Sequence, residues 1–147
     1  MLIGNHRSKL DSKKGRVALP AKFRQFLGSK IIITMGHEQT LMIVPKKSWQ
    51  SITRDIVNRP FISEPARDTD RFLLGNAYEV DLDVQGRFIV PLALKKYAKL
   101  SQNIVFVGMG NRVEVWDQEK WQERLSYLSK NINRITTSLS KTDEAEK

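Results

Sequence analysis

A mostly β fold with flanking helices (α+β), built from two copies of one unit, is predicted by three observations along the 147 residues. A landmark-rich stretch near the start recurs 71–72 residues later, short apolar runs alternate with turn residues, and no single apolar run is long enough for a membrane span. The recurrence is the strongest of the three. Leu10-Asp11-Ser12-Lys13-Lys14-Gly15-Arg16-Val17-Ala18-Leu19-Pro20 is echoed by Leu82-Asp83-Val84-Gln85-Gly86-Arg87-Phe88-Ile89-Val90-Pro91. Each copy continues with a short amphipathic stretch, a β-rich run, a turn, a second β-rich run and a Trp-Gln pair, at Trp49-Gln50 and at Trp121-Gln122. One matched dipeptide could arise by chance, but the same landmarks in the same order mark a duplication.

The elements follow in chain order. Strands are predicted near Arg7–Leu10 and Arg16–Leu19, then a short helix from Lys22 that Gly28 stops after Leu27. Ile31–Met35 and Leu41–Val44 form a hairpin around Gly36-His37-Glu38-Gln39. Pro45 suits the first position of a helix with Trp49, Ile52 and Ile56 on one face, ended by Pro60. Glu64 to Leu74 reads as a linking helix with Phe72, Leu73 and Leu74 docked. The second half repeats the pattern with strands near Tyr78–Leu82, Arg87–Val90, Ile104–Val107 and Val113–Trp116, and a short amphipathic stretch from Leu92 to Leu100. Asp117 is a candidate N-cap for a final helix whose stripe is Trp121, Leu125, Leu128 and Ile132. The expected division is a first repeat over 1–60, a linking helix over 61–76, a second repeat over 77–136, and a disordered tail over 137–147, where the sequence turns polar.

The charge map adds a partner class. The net charge is +9, and residues 1–24 carry seven basic side chains against Asp11 alone, two-thirds of the whole excess. A clustered basic segment on a globular body is the footprint of a nucleic-acid binder, because phosphates attract it and counterion release drives binding. A merely solubilising surface is the bland alternative. The absence of cysteine removes thiol nucleophiles, Fe–S clusters and cysteine zinc sites, and His6 and His37 are too few for a three-histidine metal site. No cofactor and no metal are expected.

The repeated Asp…Gly-Arg loops have a physical logic. The aspartate accepts bonds from amides two or three residues on, and the glycine permits a positive φ, so the chain reverses tightly. The arginine then leaves the turn in a fixed direction, where its guanidinium can grip a phosphate or guanine O6 and N7 bidentately. Asp11, Gly15, Asp83 and Gly86 are therefore assigned to loop structure, and Arg7, Lys9, Lys13, Lys14, Arg16 and Arg87 to DNA contact. The competing reading has Asp11 and Asp83 pairing with Arg16 and Arg87 simply to stitch the turns. Arg87 has the weaker case, since Val84 and Gln85 stand where the first loop has lysines.

With these motifs in hand, the chain resembles MraZ, a bacterial family of the AbrB-like swapped-hairpin β-barrel class. The doubled Leu-Asp-x-x-Gly-Arg…Pro pattern carries the likeness, which extends from Met1-Leu2-Ile3-Gly4 through Arg71-Phe72-Leu73-Leu74-Gly75 to Val113-Glu114-Val115-Trp116-Asp117. The resemblance implies a DNA-binding regulator of the division and cell-wall gene cluster, including its own gene, with double-stranded DNA as partner and a ring-shaped homo-oligomer. No membrane partner is expected, because no apolar run is long enough to span a bilayer, and the polar first residues lead to the expectation of a cytoplasmic, nucleoid-associated protein. Arg16, Lys13 and Lys14 match the family's DNA-facing loop, with Arg87 in the second. The first loop departs from the pattern, with four residues between Asp11 and Arg16 where the second has three between Asp83 and Arg87.

Three other function classes compete. An enzyme would rest on Asp81 and Asp83 as a Mg²⁺ pair, but no phosphate-cradling loop or catalytic base accompanies them, and Ser8 and Ser12 have no activating histidine. An AbrB-like interaction module, antitoxin-like or an assembly scaffold with only non-specific DNA affinity, would use the tryptophan-bearing stripes to bind protein. RNA binding lacks the aromatics interleaved with basic residues that stack unpaired bases.

Overall fold

The computed structural model describes residues 1–146, with side-chain surroundings through Thr142. The first half contributes β1 (Asn5–Lys9), β2 (Arg16–Ala18), α1 (Ala21–Leu27), β3 (Lys30–Met35), β4 (Leu41–Pro45) and α2 (Lys46–Val57). After α3 (Glu64–Leu73), the second half repeats the order with β5 (Tyr78–Asp81), β6 (Arg87–Ile89), α4 (Leu92–Tyr97), β7 (Asn103–Gly108), β8 (Val113–Asp117) and α5 (Gln118–Glu146). Each of these elements but α5, which runs about ten residues further than expected, overlaps its sequence expectation to within a few residues.

All pairings are antiparallel, and they exchange strands between the halves. The six-stranded sheet has the order β1-β7-β8-β4-β3-β5, so β1 pairs with β7 of the other half and β5 pairs with β3. Swapping each strand for its repeat counterpart returns the same order reversed. A pseudo-twofold axis therefore passes between β4 and β8. The same axis passes through a separate ribbon, β2-β6, where Val17 stands opposite Phe88. The pairings run from β1 to β5 and do not join those two edges, so among the described residues the sheet and the ribbon are separate hydrogen-bonded layers. An α+β fold with antiparallel sheets and two internal repeats is thus established, while barrel closure is not part of the observed pairing.

Period-2 alternation decides which side chains enter the core. From the sheet, Ile31, Ile33, Leu41, Ile43, Ile104, Phe106, Val113 and Val115 meet Val17 and Phe88 of the ribbon, with Phe23 and Leu27 of α1 and Leu94 of α4. On the opposite face of the sheet Val105, Val107 and Trp116 form a smaller cluster closed by Trp121 of α5, its ring 5.6 Å from that of Trp116. Pro20 and Pro91 each precede a short helix with φ near −55°, and Gly28 ends α1 at φ 78°. α3 is capped by Ser63 and held on β3, where buried Thr34 donates from Oγ1 to the Leu73 carbonyl at 2.7 Å. Tyr97 donates to the Gly36 carbonyl at 2.6 Å and packs on Phe72, and burial raises its phenol pKa.

Three local expectations change. Pro45 ends β4 and caps α2 from outside instead of opening it. Asp117 ends β8, and its Oδ1 accepts from the Ser101 N–H at 3.0 Å, so the carboxylate straps a loop to the sheet and does not cap α5. Beyond Thr137 the chain stays helical to Glu146, where disorder was expected; Lys147 lies outside the described residues. Polarity argues against a core but not against a helix, and no glycine or proline follows Gly110 to break it. Among the described residues no helix is long and apolar enough to cross a membrane.

Candidate nucleic-acid interface

The ribbon carries both loop arginines to one outward face. In β2 and β6 the middle residues, Val17 and Phe88, point into the core at 2% and 4% exposure, so their neighbours must point out. Arg16 lies opposite Ile89, and Ala18 lies opposite Arg87. The two arginines, one from each half, thus sit diagonally across the pseudo-twofold axis. Ile89 is 58% exposed between them and Val84, on the second loop, 98% exposed. A two-stranded ribbon of this kind is narrow enough for the major groove of B-DNA.

Each loop is closed by the same backbone frame. In the first, Gly15 N–H donates to the Asp11 carbonyl at 2.7 Å, and in the second Gly86 N–H donates to that of Asp83 at 2.9 Å. The glycine φ values are 69° and 76°, in the left-handed region that the sequence required of them. The halves then lock reciprocally: Val90 N–H donates to the Gly15 carbonyl at 2.9 Å, and Leu19 N–H to the Gly86 carbonyl at 3.0 Å.

The aspartates do different work. Asp11 Oδ1 accepts from the amides of Lys13 (2.9 Å) and Lys14 (3.4 Å), and these bonds, led by that of Lys13, hold its carboxyl pKa below the usual range. Asp83 Oδ1 accepts from the amides of Gln85 and Arg87, both at 2.9 Å, while Oδ2 takes the Arg87 guanidinium Nε–H at 2.7 Å. Its pKa is lowered too, first by the Arg87 amide and then by the Arg87 side chain. Among the described residues Arg16 has no carboxylate within salt-bridge distance.

The MraZ family, described as "MraZ protein, putative antitoxin-like", matches this chain twice, over residues 1–72 and 73–142. The chain belongs to the MraZ family. Proteins called "Transcriptional regulator MraZ" from Syntrophomonas wolfei, Oenococcus oeni and Carboxydothermus hydrogenoformans are 38%, 36% and 42% identical to it. The matches cover 95%, 97% and 82% of this chain and 96%, 99% and 84% of those relatives.

Among the residues singled out from sequence, Arg16 and Arg87 share the outer face of the ribbon in this MraZ-family chain, with Lys13 and Lys14 in the loop at the Arg16 end and Arg87 at the opposite end, whereas Arg7 and Lys9 do not join them. On β1 it is His6 and Ser8 that face the ribbon side: His6 packs edge-on against Phe23, and Ser8 Oγ donates to the Ala18 carbonyl. Alternation turns Arg7 and Lys9 to the other face of the sheet, where Lys9 Nζ donates to Asn103 Oδ1 beside the start of α5. Arg24 is the residue that sequence reasoning did not assign. It reaches from α1 of the first half over Gly86 of the second, its Nη1 at 3.5 Å from the Val84 carbonyl, and brings a cation to the loop that lacks lysines. Its sequence signal was only its place in the basic segment. Asp81 stands opposite Lys30 in the β5-β3 register.

Proposed function

We propose that this chain is a DNA-binding transcriptional regulator that docks the outer face of the β2-β6 ribbon and its two loops on duplex DNA. The observation that carries the reading is that Arg16 and Arg87, one from each repeat, project from the same outer face of the ribbon, with the exposed Lys13 and Lys14 in the loop at the Arg16 end. Arg16, unpaired, reads or grips; Lys13 and Lys14 neutralise phosphates; Arg87 engages DNA once it leaves Asp83. Asp11, Gly15, Asp83 and Gly86 shape the loops. The printed name of the relatives, "Transcriptional regulator MraZ", supports the function class. Arg7 and Lys9 stand outside this face and belong to the proposal only as distant charge.

The finer reading is regulation of the division and cell-wall gene cluster, its own gene included, by a ring oligomer of closed swapped-hairpin barrels engaging tandem copies of a short element. One ribbon offers few phosphate contacts, so avidity between linked subunits would supply much of the affinity. A fluorescence-anisotropy titration on labelled duplex from upstream of the gene, against scrambled duplex at two salt concentrations, tests this. Arg16→Ala should lose about tenfold or more on the specific duplex, the scale of a bidentate base contact. Equal, salt-erased binding to both duplexes would overturn the reading in favour of an antitoxin-like or scaffold module, the alternative that the family's description keeps open.

A further inference from the structure

The outer face of the β2-β6 ribbon is two strands wide and presents Arg16 opposite Ile89, and Ala18 opposite Arg87. The pseudo-twofold axis exchanges the two arginines with each other, and it exchanges Ala18 with Ile89. The arginines keep that symmetry and the other pair breaks it. One end of the ribbon therefore offers an unpaired guanidinium beside a branched apolar side chain. The other offers a guanidinium tied to Asp83 beside the single methyl of Ala18.

Nothing in the fold asks for an isoleucine at this place. Ile89 belongs to no core cluster, and it is 58% exposed while its neighbours Phe88 and Val90 point inward and are buried. Ala18 fills the equivalent place in the other repeat, so the strand pairing does not depend on the larger side chain. A lone exposed aliphatic is ordinary on a protein surface. Ile89 is set apart by its neighbours: it faces Arg16 across the ribbon, and a Cβ on Gly15 would meet its Cγ2 at 3.9 Å. It thus lies against the foot of the loop that carries Lys13 and Lys14, and whatever those cations bind comes to rest on it.

We propose that Ile89 is a specificity-determining residue that packs on the C5-methyl group of a thymine beside the position gripped by Arg16. The inference rests on the preceding reading that the ribbon enters the major groove of duplex DNA. The base edges there present hydrogen-bond donors, acceptors and one apolar group, the thymine methyl. An aliphatic side chain offers no hydrogen bond, so a donor or acceptor covered by it would lose its water and gain no partner. The methyl is the one base-edge group that gains from the contact. Ala18, with its single methyl, reaches less far from the strand. The two ends of the ribbon therefore read different steps, and a subunit acquires a preferred polarity on the duplex.

The test replaces every thymine of the labelled duplex from upstream of the gene by deoxyuridine, which keeps the hydrogen-bonding edge and removes only the methyl. Anisotropy titrations compare the two duplexes on the full chain and on its Ile89→Ala and Ile89→Val variants. Wild type should bind the thymine duplex about fourfold more tightly, the worth of one buried methyl, and Ile89→Ala should lose the preference. Ile89→Ala copies the residue of the other repeat at an exposed position, so its melting transition should stay near that of wild type. Ile89→Val, a smaller trim that keeps the branched shape favoured in strands, should lower the preference in part. Equal binding of the two duplexes by wild type overturns the proposal and leaves the DNA-binding reading standing. A preference that neither variant lowers does the same, because another residue then meets the methyl. Binding of neither duplex overturns both readings.

Discussion

The first and second loops share one frame and differ by a single inserted residue, and that residue changes what their arginines are free to do. With three residues between Asp83 and Arg87, the carboxylate reaches the arginine's amide with one oxygen and its guanidinium with the other. With four between Asp11 and Arg16, the same carboxylate is used up on the amides of Lys13 and Lys14. The insertion therefore adds one cation and also leaves the neighbouring guanidinium uncommitted. Two nearly equal copies have become a loop with an unpaired arginine and a self-stitched one. The second loop is compensated across the pseudo-twofold axis by Arg24 of the first half.

The comparison breaks most sharply if the insertion is undone. Deleting Lys14 should restore the three-residue spacing, let Asp11 take the Arg16 guanidinium, and remove one phosphate contact. Specific DNA affinity should fall about tenfold or more, and the slope of log affinity against log salt should shrink by about 0.9. The reciprocal change, Asp83→Asn, frees Arg87 and should raise affinity, with a steeper salt slope. Anisotropy titrations across salt concentrations read both; a Lys14 deletion that binds as tightly as wild type would mean that pairing within the loop is irrelevant to DNA contact.

Much of the local structure was legible because it follows from single-residue physics. Gly15 and Gly86 announced their positive φ, Gly28 announced the end of α1, and the apolar runs announced the hairpin of β3 and β4. The repeat further implied two related halves. What the sequence could not display is anything set by strands meeting across the axis. That Arg16 and Arg87 share a face depends on β2 pairing with β6, and that Arg7 and Lys9 leave it depends on β1 being a sheet strand whose Ser8 turns toward the ribbon. Arg24 over Gly86 is likewise a contact between residues of different repeats, invisible to any local pattern. Asp117 misled because an aspartate before a helix is a cap by default, and only the position of Ser101 redirects its carboxylate.

The glycines offer a smaller, structural sharpening of the same comparison. Either Gly15→Ala or Gly86→Ala forces a side chain into left-handed backbone, at a cost of about 1–2 kcal/mol. The surroundings then separate them. A Cβ on Gly15 would find its nearest neighbour, the Val90 carbonyl oxygen, at 3.6 Å, an ordinary contact. One on Gly86 would lie 2.1 Å from Arg24 Cδ, so the arginine would have to swing away. Thermal unfolding should show both variants destabilised, Gly86→Ala the more so. Gly86→Ala should also resemble Arg24→Ala in DNA binding, because each removes the cation that crosses to the second loop. Equal melting temperatures would indicate that Arg24 moves aside freely and that the second loop does not depend on it.

The smallest effect is a pH dependence, and it separates the loops by where the proton is felt. Both carboxyl pKa values are lowered in the folded chain, Asp11 chiefly by the Lys13 amide and Asp83 chiefly by the Arg87 amide. A lowered folded-state pKa means the ionised form is favoured by folding. The contribution is complete above the ordinary aspartate value of about 4 and is lost as pH falls through each lowered value. Both groups are solvent-exposed, so the melting temperature should move only slightly. The local signal should not be symmetric. Protonating Asp83 releases the Arg87 guanidinium, so the Arg87 Nε–H resonance should titrate together with the Asp83 carboxyl carbon. Protonating Asp11 breaks no hydrogen bond to Arg16, which it reaches only through its charge, so the Lys13 N–H should follow Asp11 while Arg16 Nε–H moves far less. If Arg16 Nε–H moved as far as Arg87 Nε–H, Arg16 would be as firmly tied as its counterpart, and the distinction between a free and a stitched arginine would have to be abandoned.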